Sequence, residues 1–425
     1  MATRIVAWGA LAAALLAGGS AGAQLLPGPP VVPTLPDVGA TVERVGRIGD
    51  DALDRVGEGL PRDARRLLDL RADRLRDLVR THPDRLEMTG EGPAVRGEVI
   101  AIDPDPATLA AVREAGFEVL AQDDIEGLGL AATRLRPPRR WSVERALSRL
   151  RRIAPEGEFA ANHLHLPSGG AAAVAVGSAA LAQSEGAVRA SVGIVDGGVA
   201  AQPALTGRIR QRGFASGAPR ASAHGTAVAS LVAGTGPVRG AAPGVSLLAA
   251  DIYGGDPAGG NALALARALG WLTASGVKVA VVSLVGPSNP LVARAVEVAR
   301  RRGLHVVAAV GNDGPAAPLA YPASYPGVIA VTGVDARGRV LIEAGRARNL
   351  DYAAPGADMA AARPGGGLAA VRGTSYAVPL VAGRLAAHLG AADPIAALDR
   401  EAEHRGRRGY GRGLVCGPCR TPVPR

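Results

Sequence analysis

A carboxylate, an imidazole, a hydroxyl and an amide stand in the second half of the chain at places where a fold could bring them together. Asp196 ends the apolar run Val192-Gly193-Ile194-Val195 and is followed by Gly197-Gly198. His224 opens Gly225-Thr226-Ala227 and then the apolar stretch Val228 to Ala233. Ser375 lies in Gly373-Thr374-Ser375-Tyr376-Ala377-Val378-Pro379, ahead of a helical pattern to Leu389. Asn312 lies in Gly311-Asn312-Asp313-Gly314. These types suit hydrolysis of a peptide bond. A serine hydroxyl is a poor nucleophile until a base takes its proton, and neutral imidazole is that base near neutral pH. A carboxylate on the other ring nitrogen stabilises the imidazolium. Backbone N–H groups at a helix start, with the Asn312 amide, favour the negative charge on the attacked carbonyl oxygen.

Positioning them calls for a particular scaffold. Apolar strands predicted at Val192–Val195, Ser246–Ile252, Val277–Leu284, Leu304–Val310 and Val328–Val334 alternate with helices at Asn261–Ala274, Pro290–Arg302 and Ser375–Leu389. Continuous apolar strands alternating with helices predict an α/β fold, a parallel sheet with helices on both faces. Its site lies beyond the carboxyl ends of the strands. Residues 95–167 read differently, as strand, helix, two strands, helix and strand, a small α+β ferredoxin-like unit. In it Ser142 is an N-cap, with Glu144 in the first turn. The predicted organisation is a signal peptide (1–23), a flexible leader (24–40), an arginine-rich helical region (41–94), the α+β unit (95–167), a linker (168–190), the α/β domain (191–395) and a tail (396–425).

The order Asp–His–Ser and the Gly-Asn block resemble the subtilisin-like serine proteases. The likeness extends to Val238-Arg239-Gly240-Ala241-Ala242-Pro243-Gly244, to Tyr321-Pro322-Ala323, to Val328-Ile329-Ala330-Val331 and to Ala353-Ala354-Pro355-Gly356. It implies a serine endopeptidase acting on polypeptides through an acyl-enzyme, with Asp196, His224 and Ser375 as the triad and Asn312 as oxyanion donor. It also implies that Ser283-Leu284-Val285-Gly286 lines the substrate cleft and pairs with an extended peptide. Ala308 and Ala309 would line the specificity pocket next to Gly311. Ordinary strand packing is the alternative for these substrate-binding positions. Family members are often made with a pro-domain that aids folding and then blocks the cleft. The unit at 95–167 resembles one, with Asn162 to Pro167 in the crevice and self-cleavage between about Phe159 and Ala190. Three departures stand out. Gly197 replaces a common hydroxyl residue, which would hold the aspartate less tightly. Ala227 replaces a common second histidine. Tyr376 and Val378 replace the commoner Met and Thr. A catalytically silent, peptide-binding relative is the alternative function.

Composition bounds the rest. The chain has 425 residues, 48% hydrophobic and 3% aromatic, so the core is built from Ala, Val and Leu. Its net charge is +10, and of 48 basic residues all but Lys278 are arginine. Many arginines interleave with acids in the first 160 residues, the pattern of solvated helix faces rather than of a nucleic-acid reader. Arg4, the apolar run Ile5 to Leu16 and Ala21-Gly22-Ala23 read as a secretory signal cut before Gln24, with an uncleaved membrane anchor as the alternative. The expectation is therefore a secreted or periplasmic monomer with no membrane or nucleic-acid partner. Cys416 and Cys419 read as a local disulfide or two idle thiols, since no long helix follows to support redox work. His163, His165, His305 and His388 lack partners at metal spacing, and no acidic cluster has calcium-ligand spacing, so no metal or cofactor is assigned and calcium is left open.

Overall fold

The structure is a computed structural model that describes residues 62–168 and 192–423. The expected signal and leader, residues 41–61 of the helical region and residues 169–190 of the linker lie outside the described residues.

The first half opens with α1 (Arg62–Thr81), β1 (Leu86–Thr89) and β2 (Gly92–Ile102), then α2 (Pro106–Glu114), β3 (Glu118–Ile125), β4 (Leu130–Arg136), α3 (Val143–Ile153) and β5 (Glu158–His163). The strands form one antiparallel sheet, ordered β1-β2-β4-β3, with β5 also on β2. The side chains of Asp105 and Ser142 cap α2 and α3, accepting from Thr108 N and Arg145 N. The helical region expected to reach residue 94 stops at Thr81. Pro83 comes two residues later, His82 before it is biased away from helix, and the chain turns into a hairpin that buries Leu86.

The second half begins with the two-residue strand β6 (Leu166–Pro167). It continues through β7 (Val192–Asp196), β8 (Ile209–Gly213), α4 (Ala223–Ala233), β9 (Leu247–Asp251), α5 (Ala262–Ala274), β10 (Val279–Val282), β11 (Leu284–Val285), α6 (Pro290–Arg301), β12 (His305–Ala309), β13 (Ile329–Val334) and β14 (Tyr352–Pro355). The hairpin β15 (Met359–Ala362) and β16 (Leu368–Val371), then α7 (Val378–Ala387) and α8 (Pro394–Glu401), complete it. Seven strands form a parallel sheet ordered β14-β13-β12-β10-β7-β9-β8. Helices α5 and α6 cover one face and α4 and α7 the other, each over a layer of buried Ala, Val and Leu. This is the subtilisin-like α/β architecture.

Two predicted elements are broken. The run Val277–Leu284 divides at Ser283, so β11 leaves the main sheet and is free to pair elsewhere. The helix expected from Ser375 begins at Val378, after a 3₁₀ turn at Thr374–Tyr376; Pro379 sits in its first turn, where a missing N–H costs nothing. The expected tail is also folded. Val415 N donates to Ala353 O and Ala360 N to Thr421 O, and Tyr410 is buried. This segment covers the edge strand β14, whose backbone groups need partners. Cys416 and Cys419 form a disulfide.

Candidate active site

Asp196 is the last residue of β7, in the middle of the sheet, and its carboxylate emerges at the carboxyl end. Gly197 N–H donates to Asp196 Oδ1 at 2.7 Å, so the carboxylate keeps a backbone partner without a hydroxyl neighbour. There is no room for one. A Cβ on Gly197 would meet Ser222 Oγ at 2.5 Å, and that hydroxyl caps α4 by accepting from Gly225 N. The cap fixes the first turn of α4, which carries His224. Gly225 is needed there too, because a Cβ would collide with the Gly197 carbonyl. His224 Nδ1 lies 2.7 and 2.9 Å from the two oxygens of Asp196. The carboxylate only accepts, so Nδ1 carries the proton and Nε2 is left basic.

Ser375 sits in the 3₁₀ turn ahead of α7. Tyr376 follows, its ring 5.2 Å from that of His224, and burial, with Asp196 nearby, pushes its phenol up to about 12. Asn312 follows β12. Thr374 N–H donates to Asn312 Oδ1 at 2.9 Å, which fixes the amide orientation and leaves Nδ2 as a spare donor. The Thr374 hydroxyl donates to the Gly311 carbonyl, tying the two loops together. Among the described residues His224 Nε2, Ser375 Oγ and Asn312 Nδ2 are buried with no hydrogen-bond partner. Buried polar atoms are rarely left unpaired. Three of them, a base, a hydroxyl and a donor, around one turn is the combination acyl transfer needs.

The crevice is occupied by the chain itself. Strand β6 pairs antiparallel with β11, Leu166 opposite Val285 and Pro167 opposite Leu284. Ser168 N–H donates to the Ser283 carbonyl at 3.1 Å. On the other edge His165 N–H donates to Gly260 O, Leu164 bridges to Asn261, and Tyr253 OH donates to His165 O. The Ser168 carbonyl and Asn312 Nδ2 both lie against Gly373, 3.3 and 2.8 Å from where its Cβ would be. Ser375 is fully buried with this strand in place.

Ser283, Leu284, Val285 and Gly286 run beside the strand ending at Ser168; Ser283 Oγ also donates to the Ser375 carbonyl. Ala308 and Ala309 do not line the crevice. Successive strand side chains point to opposite faces, so Ala308 packs in the layer with α5 and α6 and Ala309 in the layer with α4 and α7. Gly311 is the residue that faces Val285. The histidines set aside as structural or exposed separate as well. His388 pairs with Glu401 at 2.7 Å. His305 is half-buried. His163 and His165 are buried where the two halves meet, and desolvation lowers them to about 4 and about 3.

Sequence reasoning missed α1 as a neighbour of the site. Arg71 and Arg74 bind Asp313, at 3.2 and 2.7 Å, one residue after Asn312, and Leu67 packs on Gly314. Leu78 and Val79 pack with Leu86, Leu164, Leu166 and Ala258, over the strand in the crevice. No local signal marked these contacts. Among the described residues no cluster of three or more His, Cys, Asp or Glu could hold a metal, and no helix is long and apolar enough to cross a membrane.

A sequence model of the subtilase family matches residues 189–402. Subtilisin BL of Lederbergia lenta is 35% identical over 202 residues, 46% of this chain and 74% of its own. The major intracellular serine protease of Bacillus subtilis is 36% identical over 172 residues, 38% of this chain and 54% of its own. The crystal structure of fervidolysin from Fervidobacterium pennivorans, described as a keratinolytic enzyme related to subtilisin, has a TM-score of 0.61 at 21% identity, over 80% of this chain and 62% of its own, a likeness of fold. The matched span runs from before β7 to the end of α8 and so contains the whole parallel sheet; the chain belongs to the subtilase family of serine proteases.

Proposed function

We propose that this chain is an endopeptidase whose triad is Asp196, His224 and Ser375, with Asn312 as oxyanion donor, made as an exported precursor and inhibited by its own N-terminal half. The observation that carries the catalytic reading is the trio of buried, unpaired atoms His224 Nε2, Ser375 Oγ and Asn312 Nδ2. In the reaction Ser375 Oγ attacks the carbonyl carbon and its proton passes to His224 Nε2. Asp196 stabilises the imidazolium, and Asn312 Nδ2 donates to the oxyanion. The imidazolium then protonates the leaving amine as the C–N bond breaks. Water, deprotonated by His224, hydrolyses the acyl-enzyme and returns the proton to Ser375.

The precursor reading rests on the strand in the crevice. Residues 164–168 make backbone bonds to both edges, and the Ser168 carbonyl faces the Gly373–Ser375 turn. The scissile bond is therefore the one following Ser168, within the range expected from sequence. Helix α1 adds to the inhibition by covering Leu164 and Leu166 and by tying down Asp313. Export is supported by the signal-like residues 1–23 and by the Cys416–Cys419 disulfide, a bond that persists in oxidising compartments.

A fluorophosphonate probe, applied after purification with and without a limited digestion that removes the N-terminal half, tests both parts. Labelling of Ser375 that rises on removal of the N-terminal half is expected. No labelling in either sample would leave a silent peptide-binding relative. Equal labelling in both would remove the inhibitory role.

A further inference from the structure

The proposed endopeptidase reading says that a bond is cut but not which one. We infer that this protease cuts after small side chains, with Val285 enforcing the limit. The inference rests on the endopeptidase reading and takes residues 164–168 as a cast of the site.

Ser168 offers the carbonyl, so its side chain lies in the space that receives the residue before the cut. That side chain is 4% exposed, and its hydroxyl turns back to donate to Ser283 O at 3.2 Å. The crevice continues between β11 and Gly311, and Val285 fills it. A Cβ on Gly311 would stand 3.5 and 3.9 Å from the two Val285 methyls and 3.8 Å from Ala320 Cβ, ordinary van der Waals contact. The two walls are therefore one methyl apart. Serine and alanine fit. Leucine, phenylalanine or arginine would have to displace Val285, whose backbone is fixed by pairing with Leu166.

The test uses the matured enzyme, titrated with a fluorophosphonate so that rates are per active site. Fluorogenic peptides of the form Leu-His-Leu-Pro-X carry Ser, Ala, Leu, Phe or Arg at X. The expected result is kcat/KM at least about tenfold higher for Ser and Ala than for Leu, Phe and Arg, the size set by a few methylenes in a closed pocket. Val285→Gly should raise the ratio of the Phe and Leu peptides to the Ser and Ala peptides about tenfold or more. Val285→Ala serves if the glycine variant does not mature, with a smaller rise in the same direction. A wild-type enzyme that cuts Phe as fast as Ser, or a Val285 variant that leaves the ratio unchanged, overturns the inference. Failure of the endopeptidase reading looks different, with no labelling and no peptide cut.

Discussion

The two sheets are buried in different ways. Both faces of the parallel sheet are covered by helices of its own half. The antiparallel sheet is covered by its own helices on one face alone. Val99 and Ala101 of β2 point to α2 and α3, with Val112, Val143, Ala146 and Leu150, whereas Ile100 and Ile102 join the layer containing Leu263, Leu265 and Leu291 of α5 and α6. Gly270, inside α5, lets Ile125 come close, since a Cβ there would be 2.8 Å from Ile125 Cγ2. Glycine in a helix interior costs about 1 kcal/mol relative to alanine, a cost this docking offsets. The parallel half thus has a finished core and a candidate site with unpaired buried atoms, and the antiparallel half has an unfinished core and fills the crevice at that site. Each large apolar side chain buried between them contributes about 1.5–3 kcal/mol, which holds the strand in the crevice without any special bond at the reacting atoms.

The contrast is broken most severely at the reaction centre. Ser375→Ala should abolish peptide hydrolysis by about a million-fold, the size of loss established for subtilisin itself, and leave the bond after Ser168 intact, read by intact mass. A variant processed like wild type would show that another protease does the cutting. Asn312→Ala should lower kcat about a hundred- to thousand-fold, again the subtilisin figure, with KM little changed; a loss confined to KM would assign Asn312 to binding.

Acid attacks the other half. His165 is held near 3 against an ordinary 6.5, so the docked form binds fewer protons than the released form below pH 6.5. Its contribution to docking is complete above about pH 6.5 and is lost as pH falls towards 3. At pH 5 that is about 2 kcal/mol, or about 30-fold in the docking equilibrium. His163, lowered by burial to about 4, adds nearly as much at pH 5. Hydrogen exchange of residues 158–168 in the Ser375→Ala chain reads this without catalysis. Protection should fall between pH 7 and 5, after correction for intrinsic rates, and His165→Phe should flatten the slope. Equal slopes would refute the assignment to His165. The smallest effect belongs to α1. Arg74→Ala removes an ion pair whose arginine is half exposed and should weaken inhibition by only a few-fold, measured as time to full activity.

Much of the site was legible because its signals are local. Asp196 ends an apolar run, His224 precedes a small-residue helix, and Asn312 sits in a glycine-rich turn after a strand. What escaped depends on partners far along the chain. β6 and β11 are two residues each, too short for any periodicity, and exist only because they pair with one another. The split at Ser283 and the late start of α7 hide inside apolar runs that read as unbroken.

By itself the sequence determined the alternation of apolar strands and helices, and with it the subtilisin-like sheet and the candidate residues at its carboxyl edge. Side-chain chemistry and backbone period are properties of neighbouring residues, so they can be read in a line. Only the tertiary structure decided that Val285 closes on Gly311, that Ala308 and Ala309 turn into the core, that Arg71 and Arg74 reach Asp313, and that the strand ending at Ser168 fills the crevice. Those are distances between segments far apart in sequence, set by how two finished layers come to rest against each other.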